Sequence, residues 1–335
     1  MKNLARIILP AVLVMAASCS ANEEKADKVV VAYVTSWSDV MPEPALMTHI
    51  NYAFGHVSNG FDSVRVDNGQ RLHEIVEHVR KSGTTTKVEL SIGGWGSGRF
   101  SEMADNDSLR TSFAADCARK VEEYGLDGID IDWEYPGSSM AGISSCERDT
   151  DNFTLLMRDI RAAIGTDKLL TLASAASAEH IDFKAIMPYV DFVNVMTYDM
   201  ANAPKHHAAI YSSENTTDLT CDTSIKAHME AGVPAEKLVL GMPFYGRGGE
   251  KMHGRDFRDI SIPEGYAEKY DSTAMVPYLV DADGELVLGF DNAGSIATKC
   301  GYIIEKGLLG AMYWDYAGDD DALTLSRTIS SAMMR

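Results

Sequence analysis

Short apolar runs rich in β-branched residues alternate with amphipathic runs along most of the chain. Near-continuous apolar runs of this length are typical of strands in a parallel sheet that is covered by helices. The predicted strands are 29–35, 49–54, 87–92, 128–133, 169–175, 191–198, 238–244 and 310–314. The predicted helices, each with apolar residues at helical spacing, are 71–81, 109–124, 152–164, 224–230, 295–306 and 320–333.

Eight strands that alternate with helices predict an α/β fold, most simply a (β/α)₈ TIM barrel that occupies residues 29–335. A doubly wound open sheet is the alternative. It is less favoured because no glycine-rich phosphate loop follows the first strand.

The alternation is interrupted after the seventh strand, where the next helix is delayed. Two short strand-like runs, 278–280 and 285–290, flank Asp281-Ala282-Asp283-Gly284, which is a good hairpin signal. The sequence therefore predicts a small insertion at about 248–291, on the face of the barrel where active sites lie.

The N-terminus has the pattern of an export signal. Lys2 and Arg6 precede an apolar run, 7–17, that is too short to span a bilayer. Small residues then lead to Cys19, and the segment resembles a bacterial lipoprotein signal in which Cys19 carries the lipid. This assigns 1–18 to a signal peptide and 19–28 to a tether. The resemblance implies a lipoprotein anchored in the outer membrane or at the cell surface, with the periplasm and ordinary secretory cleavage as alternatives.

The net charge of the chain limits its possible binding partners. The chain has 30 Lys and Arg against 49 Asp and Glu, a net charge of −19, which argues against nucleic acid and anionic membrane surfaces as partners.

The cysteines and histidines show no metal-binding pattern. Cys117 and Cys300 lie within helical patterns and are predicted to be buried apolar residues. Cys146 and Cys221 lie in polar segments and can form one disulfide. No Cys/His spacing indicates a metal site, and the adjacent His206 and His207 are interpreted as a polar loop pair.

The fourth predicted strand carries a line of carboxyl groups. Because side chains alternate across a strand, Asp130, Asp132 and Glu134 share one face of Asp127–Pro136, and the apolar residues between them share the other. In a barrel the apolar face packs on the helices, so the carboxyl groups point inward. Aligned carboxyl groups in an apolar interior repel one another and lose hydration, which raises their pKa values. Such an arrangement is typical of acid catalysis near neutral pH.

The pattern D-x-x-D-x-D-x-E, filled from Asp127 to Glu134, resembles the signature of glycoside hydrolase family 18, the chitinase family. Four further blocks resemble that family in the same order: Ser91-Ile92-Gly93-Gly94-Trp95, Met196-Thr197-Tyr198-Asp199, Met242-Pro243-Phe244-Tyr245-Gly246-Arg247 and Met312-Tyr313-Trp314. The resemblance runs from Val29 to the C-terminus.

The resemblance implies a retaining glycosidase in which the acetamide of the substrate supplies the nucleophile. Glu134 would protonate the leaving oxygen and then act as base toward water. Asp132 would orient the acetamide N–H, and Asp130 would share a proton with Asp132. Tyr198 would donate its hydroxyl to the acetamide oxygen. The scheme uses no metal and no cofactor.

Further residues are expected to hold the sugar. Trp314 would lie beneath the ring next to the cleaved bond, and Asp199 and Arg247 would bind sugar hydroxyls. Tyr33, Phe54 and Tyr245 either line the pocket or fill the barrel. The other expected substrate contacts are Trp95 and Trp37 as outer platforms and Met196 in the sixth-strand block, whereas Tyr135 is assigned a structural role.

The expected substrate is a β-1,4-linked N-acetylglucosamine chain, chitin or a chitooligosaccharide. An endo-β-N-acetylglucosaminidase that acts on N-glycans is the alternative with the same fold. A non-catalytic chitinase-like lectin is the alternative of another class, and the presence of Glu134, Asp132 and Tyr198 argues against it. The short insertion predicts an open cleft and non-processive cutting, by a protein expected to be a monomer.

Overall fold

The computed structural model describes residues 28–334, so Cys19, the signal peptide and most of the tether lie outside the described residues. Within that range, no helix combines the length and the apolar character that crossing a bilayer requires.

Eight parallel strands form a closed barrel. They are β1 (Val29–Thr35), β2 (His49–Val57), β4 (Lys87–Gly93), β5 (Gly128–Asp132), β6 (Leu169–Ala175), β7 (Phe192–Met196), β8 (Leu238–Pro243) and β14 (Gly310–Trp314). Each strand pairs with the next, and β1 pairs with both β2 and β14, which closes the sheet. The predicted TIM barrel is confirmed. A three-residue strand, β3 (Val64–Val66), pairs antiparallel with the end of β2.

Helices cover the outer face of the barrel. They are α1 (Gly69–Ser82), α2 (Phe100–Ala104), α3 (Asp107–Tyr124), α4 (Asp149–Ile164), α5 (Phe183–Ile186), α6 (Cys221–Glu230), α7 (Ala293–Glu305) and α8 (Thr324–Met333). The sequence pattern misses α2 and α5 because one or two turns are too short to show a helical period. It starts α8 four residues early: Asp320 precedes this helix, and its carboxylate accepts the backbone N–H of Thr324 at 2.9 Å.

The segment after β8 forms a second, antiparallel sheet. Its strands are β9 (Tyr245–Gly248), β10 (Arg255–Asp256), β11 (Ala267–Asp271), β12 (Val276–Val280) and β13 (Leu286–Gly289), in the order β10-β9-β13-β12-β11. The predicted hairpin is β12–β13, which is one part of this larger sheet. Its apolar side packs around Leu279, Val287 and Leu288.

The suggested disulfide between Cys146 and Cys221 is wrong, because all four cysteines in the described range are free. Cys221 is not in a polar loop: it begins α6 and is fully buried, with Sγ 3.8 Å from the carbonyl oxygen of Thr197. Cys146 Sγ instead donates to Asp149 at 3.1 Å. Cys117 and Cys300 are buried, as predicted.

The interpretation of His206 and His207 as a polar loop pair is also wrong, since the two side chains are 2% and 1% exposed. His206 Nε2 lies 3.2 Å from the carboxylate of Asp271 in the small sheet. His207 Nδ1 accepts the backbone N–H of Asp199 at 3.4 Å. The pair therefore links the small sheet to the loop after β7.

Candidate active site

The two faces of β5 have opposite environments, as the alternation of its sequence predicts. Ile129 and Ile131 are fully buried in the core between the barrel and its helices, and Trp133, just past the strand, stacks on Phe100 with ring centroids 5.2 Å apart. Asp130 points into the barrel, where it contacts side chains from four other strands. The apolar face thus fixes the strand so that the acidic face points inward.

Asp130 is fully buried and accepts four hydrogen bonds. Its Oδ2 accepts from the hydroxyls of Tyr33 and Ser91, both at 2.8 Å. Its Oδ1 accepts from Thr171 Oγ1 at 2.6 Å and from Asn194 Nδ2 at 3.3 Å. Burial raises the pKa of Asp130, and the four donors oppose that rise. Four hydrogen-bond donors directed at one carboxyl group favour its ionised form over its neutral form.

Asp132 and Glu134 lie above Asp130, nearer the open end of the barrel. Burial raises the pKa of Asp132 well above its ordinary value, and the negative charges of Glu134 and Asp130 raise it further. Asp132 Oδ1 is buried with no hydrogen-bond partner within the described chain. Burial raises the pKa of Glu134 to about 7. A carboxyl group whose pKa lies near 7, as that of Glu134 does, can donate a proton near neutral pH, which general acid catalysis requires.

A cleft of about 840 Å³ opens at the carboxyl ends of the barrel strands. Every candidate catalytic or sugar-binding residue from the sequence lines it except Asp130, which lies beneath Asp132. These lining residues are Tyr33, Phe54, Trp95, Asp132, Glu134, Met196, Tyr198, Asp199, Tyr245, Arg247 and Trp314, together with Trp37. The sequence blocks therefore converge on one site, although they lie up to about 280 residues apart in the chain.

A group of neighbouring aromatic rings lines part of the cleft. Trp314 packs on Phe54 in a stacked arrangement, with ring centroids 5.5 Å apart and an interplanar angle of 20°, and lies 5.6 Å from Tyr33. Trp37 extends this surface at 6.4 Å from Trp314 and is 65% exposed. Trp95 is 61% exposed. Exposed indole faces are well suited to stacking against the C–H faces of pyranose rings.

A charged group also lines the cleft. Arg247 Nη1 and the hydroxyl of Tyr245 contact Oδ1 of Asp199 at 2.5 Å and 2.6 Å. Burial opposes ionisation of Asp199, but the side chains of His207, Arg247 and Tyr245 beside its carboxylate lower its pKa to about 2. Asp199 is therefore a fixed anion with partners on several sides, which suits it to accept a sugar hydroxyl.

The two glycines at the end of β4 allow the backbone to pass close to the catalytic strand. Gly93 has φ +136°, and a Cβ there would lie 1.9 Å from the carbonyl oxygen of Asp132. Gly94 has φ +92°, and its Cβ would lie 2.6 Å from the ring of Phe54. Only glycine fits both the space and the backbone conformation, and the turn then presents Trp95 to the cleft.

The cleft also has lining residues that the sequence does not predict for it. Tyr135, for which the sequence predicts a structural role, lines the cleft beside Glu134 and stacks on His180. Asp315 follows Trp314, and burial raises its pKa to about 6. Asp256 and Arg255, from the small sheet, complete this side. Asp315 has a sequence signal, its position at a strand end, whereas Arg255 and Asp256 have none.

Metal ligation has no candidate in the described part of the chain, where no three His, Cys, Asp or Glu side chains lie close enough to share an ion.

A closed barrel that presents buried carboxyl groups in an aromatic-lined cleft at the ends of its strands defines the class of TIM-barrel glycosidases. The chain belongs to the family Glycosyl hydrolases family 18, whose model matches residues 29–319.

Similar proteins include Chitinase A1 of Niallia circulans, 34% identical over 72% of this chain and 42% of its own length. Chitinase 1 of Aphanocladium album is 31% identical over 74% of this chain and 66% of its own length. This chain therefore spans two thirds or less of these two relatives. Among solved structures, a family 18 N-acetylglucosaminidase from Paenibacillus barengoltzii superposes with a TM-score of 0.83 at 31% identity, covering 91% of this chain and all of that one.

Proposed function

We propose that this protein is a retaining glycoside hydrolase that cleaves β-1,4-linked N-acetylglucosamine chains, with the acetamide of the substrate as the nucleophile. The observation that carries the proposal is the ascending set of carboxyl groups on β5 and just past its end, with Asp130 fully buried and hydrogen-bonded and with Asp132 and Glu134 lining the cleft. Relatives named as chitinases support the choice of substrate.

Glu134 is the proposed general acid and base. A carboxyl group whose pKa is raised to about 7 is protonated over much of the range in which a glycosidic oxygen needs a proton. After the bond breaks, the same group accepts a proton from the attacking water. Burial of the Glu134 carboxyl group supplies the rise in pKa, and the hydrogen bond from Tyr135 opposes it.

Asp132 is the proposed partner of the acetamide N–H. Because four donors already point at Asp130, the proton of this pair resides on Asp132 before substrate binds. Rotation of Asp132 toward Glu134 then places its free oxygen against the acetamide nitrogen. This orients the amide and stabilises the positive charge of the oxazolinium intermediate. The proton on Asp132 limits the repulsion between the two carboxyl groups.

Tyr198 is the proposed donor to the acetamide oxygen. Its hydroxyl contacts Sδ of Met312 at 3.7 Å, which is a weak acceptor, so the hydroxyl is available to a ligand. Its ring is held against Tyr245 with centroids 6.2 Å apart. Trp314 lies beneath the same sugar, while Asp199 and Arg247 bind its hydroxyls. Trp37 and Trp95 extend binding to neighbouring sugars.

The proposed function includes attachment of the protein to the cell envelope through a lipid. Cys19, after a basic and apolar leader, is the proposed site of lipid attachment. Labelling of expressing cells with radioactive palmitate should mark the wild-type chain and not a Cys19→Ala variant. Label on both chains, or on neither, would remove the lipid from the proposal and leave the enzyme unaffected.

The test of the activity uses two substrates and two variants. Purified protein is incubated with a chitin tetramer and, separately, with a high-mannose glycoprotein, and the released sugars are measured. The proposal predicts cleavage of the tetramer, its loss in Glu134→Gln, and its retention in Glu230→Gln, a matched change at an exposed position on α6. Turnover of the glycoprotein alone would favour the N-glycan alternative. Retained turnover in Glu134→Gln would remove Glu134 from its role.

A further inference from the structure

Glu89 is a carboxyl group inside the barrel that the proposed mechanism does not use. It lies on β4 facing the interior, and its side chain has no exposed surface. Its neighbours in register are Asn51 on β2 and Gly128 on β5. Gly128 has no side chain, and a Cβ there would lie 2.4 Å from the carbonyl oxygen of Leu169. Glycine at 128 therefore avoids a clash with the backbone of β6 in this crowded part of the barrel.

The polar contacts of Glu89 lead to Asp130 through one hydroxyl. Glu89 Oε2 lies 3.1 Å from Thr171 Oγ1, and the same Oγ1 lies 2.6 Å from Asp130 Oδ1. The other oxygen, Oε1, has no hydrogen-bond partner among residues 28–334. A buried carboxylate with one oxygen unpaired would be costly, whereas a neutral acid tolerates that position much better.

The single hydrogen of the Thr171 hydroxyl decides which group donates in its contacts with Asp130 and Glu89. A threonine hydroxyl has one hydrogen and can donate to one acceptor only. The shorter contact is with Asp130, which its other three donors mark as the anion, so the hydrogen of Thr171 points there. Oγ1 then has only lone pairs to offer Glu89. The contact at 3.1 Å is a hydrogen bond only if Glu89 carries a proton and donates it.

The charges around Glu89 act in the same direction. Burial raises the pKa of Glu89 well above its ordinary value, and the negative charges of Asp130, Asp191 and Asp127 raise it further. The contact with Thr171 is the opposing influence. An ionised Glu89 would also repel Asp130 across a single hydroxyl and would shift the proton of the catalytic carboxyl groups toward Asp130.

We propose that Glu89 is a positioning residue: it is a neutral acid that donates a hydrogen bond to Thr171 Oγ1, so that the hydrogen of the Thr171 hydroxyl points to Asp130. Asp130 then remains the anion, and Asp132 keeps the proton that it carries toward Glu134. This inference rests on the proposed function for its effect on catalysis. The protonation of Glu89 itself does not depend on that function.

The kinetic test compares two substitutions of similar volume, Glu89→Gln and Glu89→Met. A carboxamide can donate N–H to Thr171, whereas a thioether cannot. Glu89→Gln should retain most of the kcat and keep the acidic limb of the pH profile of kcat/KM where it is in the wild type. Glu89→Met should lower kcat by roughly fivefold, the worth of one buried hydrogen bond, and move that limb to higher pH. KM should change little in either variant.

Two results of the kinetic test would overturn the proposal. Equal pH profiles and equal kcat in both variants would show that Glu89 only fills space. A shift of the acidic limb to lower pH in both variants would show that wild-type Glu89 is ionised, because removing a negative charge next to Asp130 lowers the pKa of Asp130. Thermal unfolding of both variants separates these outcomes from misfolding.

A spectroscopic test is independent of activity. The infrared difference spectrum between wild type and Glu89→Gln, recorded at neutral pH, should contain the carbonyl stretch of one protonated carboxylic acid, present in the wild type alone. Loss of carboxylate bands instead would overturn the proposal. If the protein failed to cleave chitooligosaccharides, this measurement would still report the state of Glu89, so the failure of one proposal is distinguishable from the failure of the other.

Discussion

Removal of one hydroxyl, in Tyr198→Phe, should separate catalysis from stability. The ring of Tyr198 lines the cleft, where Gly241 makes room for it: a Cβ on Gly241 would lie 2.9 Å from Tyr198 Cε1. The hydroxyl contacts the thioether of Met312 at 3.7 Å. Phenylalanine therefore keeps the packing and loses only a weak contact, so the free energy of unfolding should change by less than about 1 kcal/mol.

The expected loss of activity in Tyr198→Phe is much larger. A preorganised donor to the reacting amide acts in the transition state, and removal of one such donor typically lowers kcat by about 10²–10³-fold. The loss arises because the acetamide oxygen is no longer held next to the anomeric carbon. KM should change by much less, since the ring still contacts the sugar.

The matched control is Tyr302→Phe, on α7. Its hydroxyl donates to Asp222 at 3.1 Å on the helical side of the barrel. This variant should lose about 1 kcal/mol of stability and keep its kcat. The assay is initial-rate kinetics on an aryl chitobioside, with urea unfolding of the same preparations. A kcat of Tyr198→Phe within threefold of the wild type would refute the catalytic role of the hydroxyl. A loss of stability in Tyr198→Phe well above about 1 kcal/mol would show that the contact with Met312 is stronger than its distance indicates.

Three further predictions concern pH, binding and folding. The kcat/KM should fall as pH rises through about 7, because the raised pKa of Glu134 marks where the catalytic proton is lost; a profile flat to pH 9 would contradict this. Trp37→Ala should raise KM roughly tenfold for chitooligosaccharides that reach its ring and leave an aryl monosaccharide unaffected, and equal effects on both would contradict the platform role. Gly93→Ala should lower the free energy of unfolding by about 2 kcal/mol or more, because the new Cβ would meet the backbone of Asp132. The control is Gly125→Ala, where φ is +66° and the new Cβ would have no atom within 4 Å; it should lower the free energy of unfolding by about 1 kcal/mol.

The barrel and the carboxyl groups of β5 are predictable because each depends on a local pattern. An apolar run marks each strand, and a period of two places Asp130, Asp132 and Glu134 on one face. The packing of Trp133 on Phe100 then decides which face points inward. The cleft residues were found through blocks that each lie at the end of a strand, where a parallel barrel brings them together.

The residues around Asp130 show why other parts of the fold and site are not predictable from the sequence. Glu89 and Thr171 are polar positions within mostly apolar strands, and each acquires its role only when barrel closure brings it close to Asp130. Glu89 had a signal, since a charged residue in the middle of a buried strand is unusual. The small sheet had little signal because β11 is mostly exposed and its strands are short. The burial of His206 depends on that sheet, so it was missed with it.

The central claim is that the amide of the sugar performs the attack. The most direct measurement compares kcat for two aryl chitobiosides that differ only in the amide of the sugar next to the cleaved bond, acetyl in one and trifluoroacetyl in the other. Fluorine withdraws electron density from the amide oxygen, so the account predicts a fall in kcat of several orders of magnitude with little change in size. Similar kcat values for the two substrates would contradict it, because an attacking carboxylate of the protein would be indifferent to that substitution.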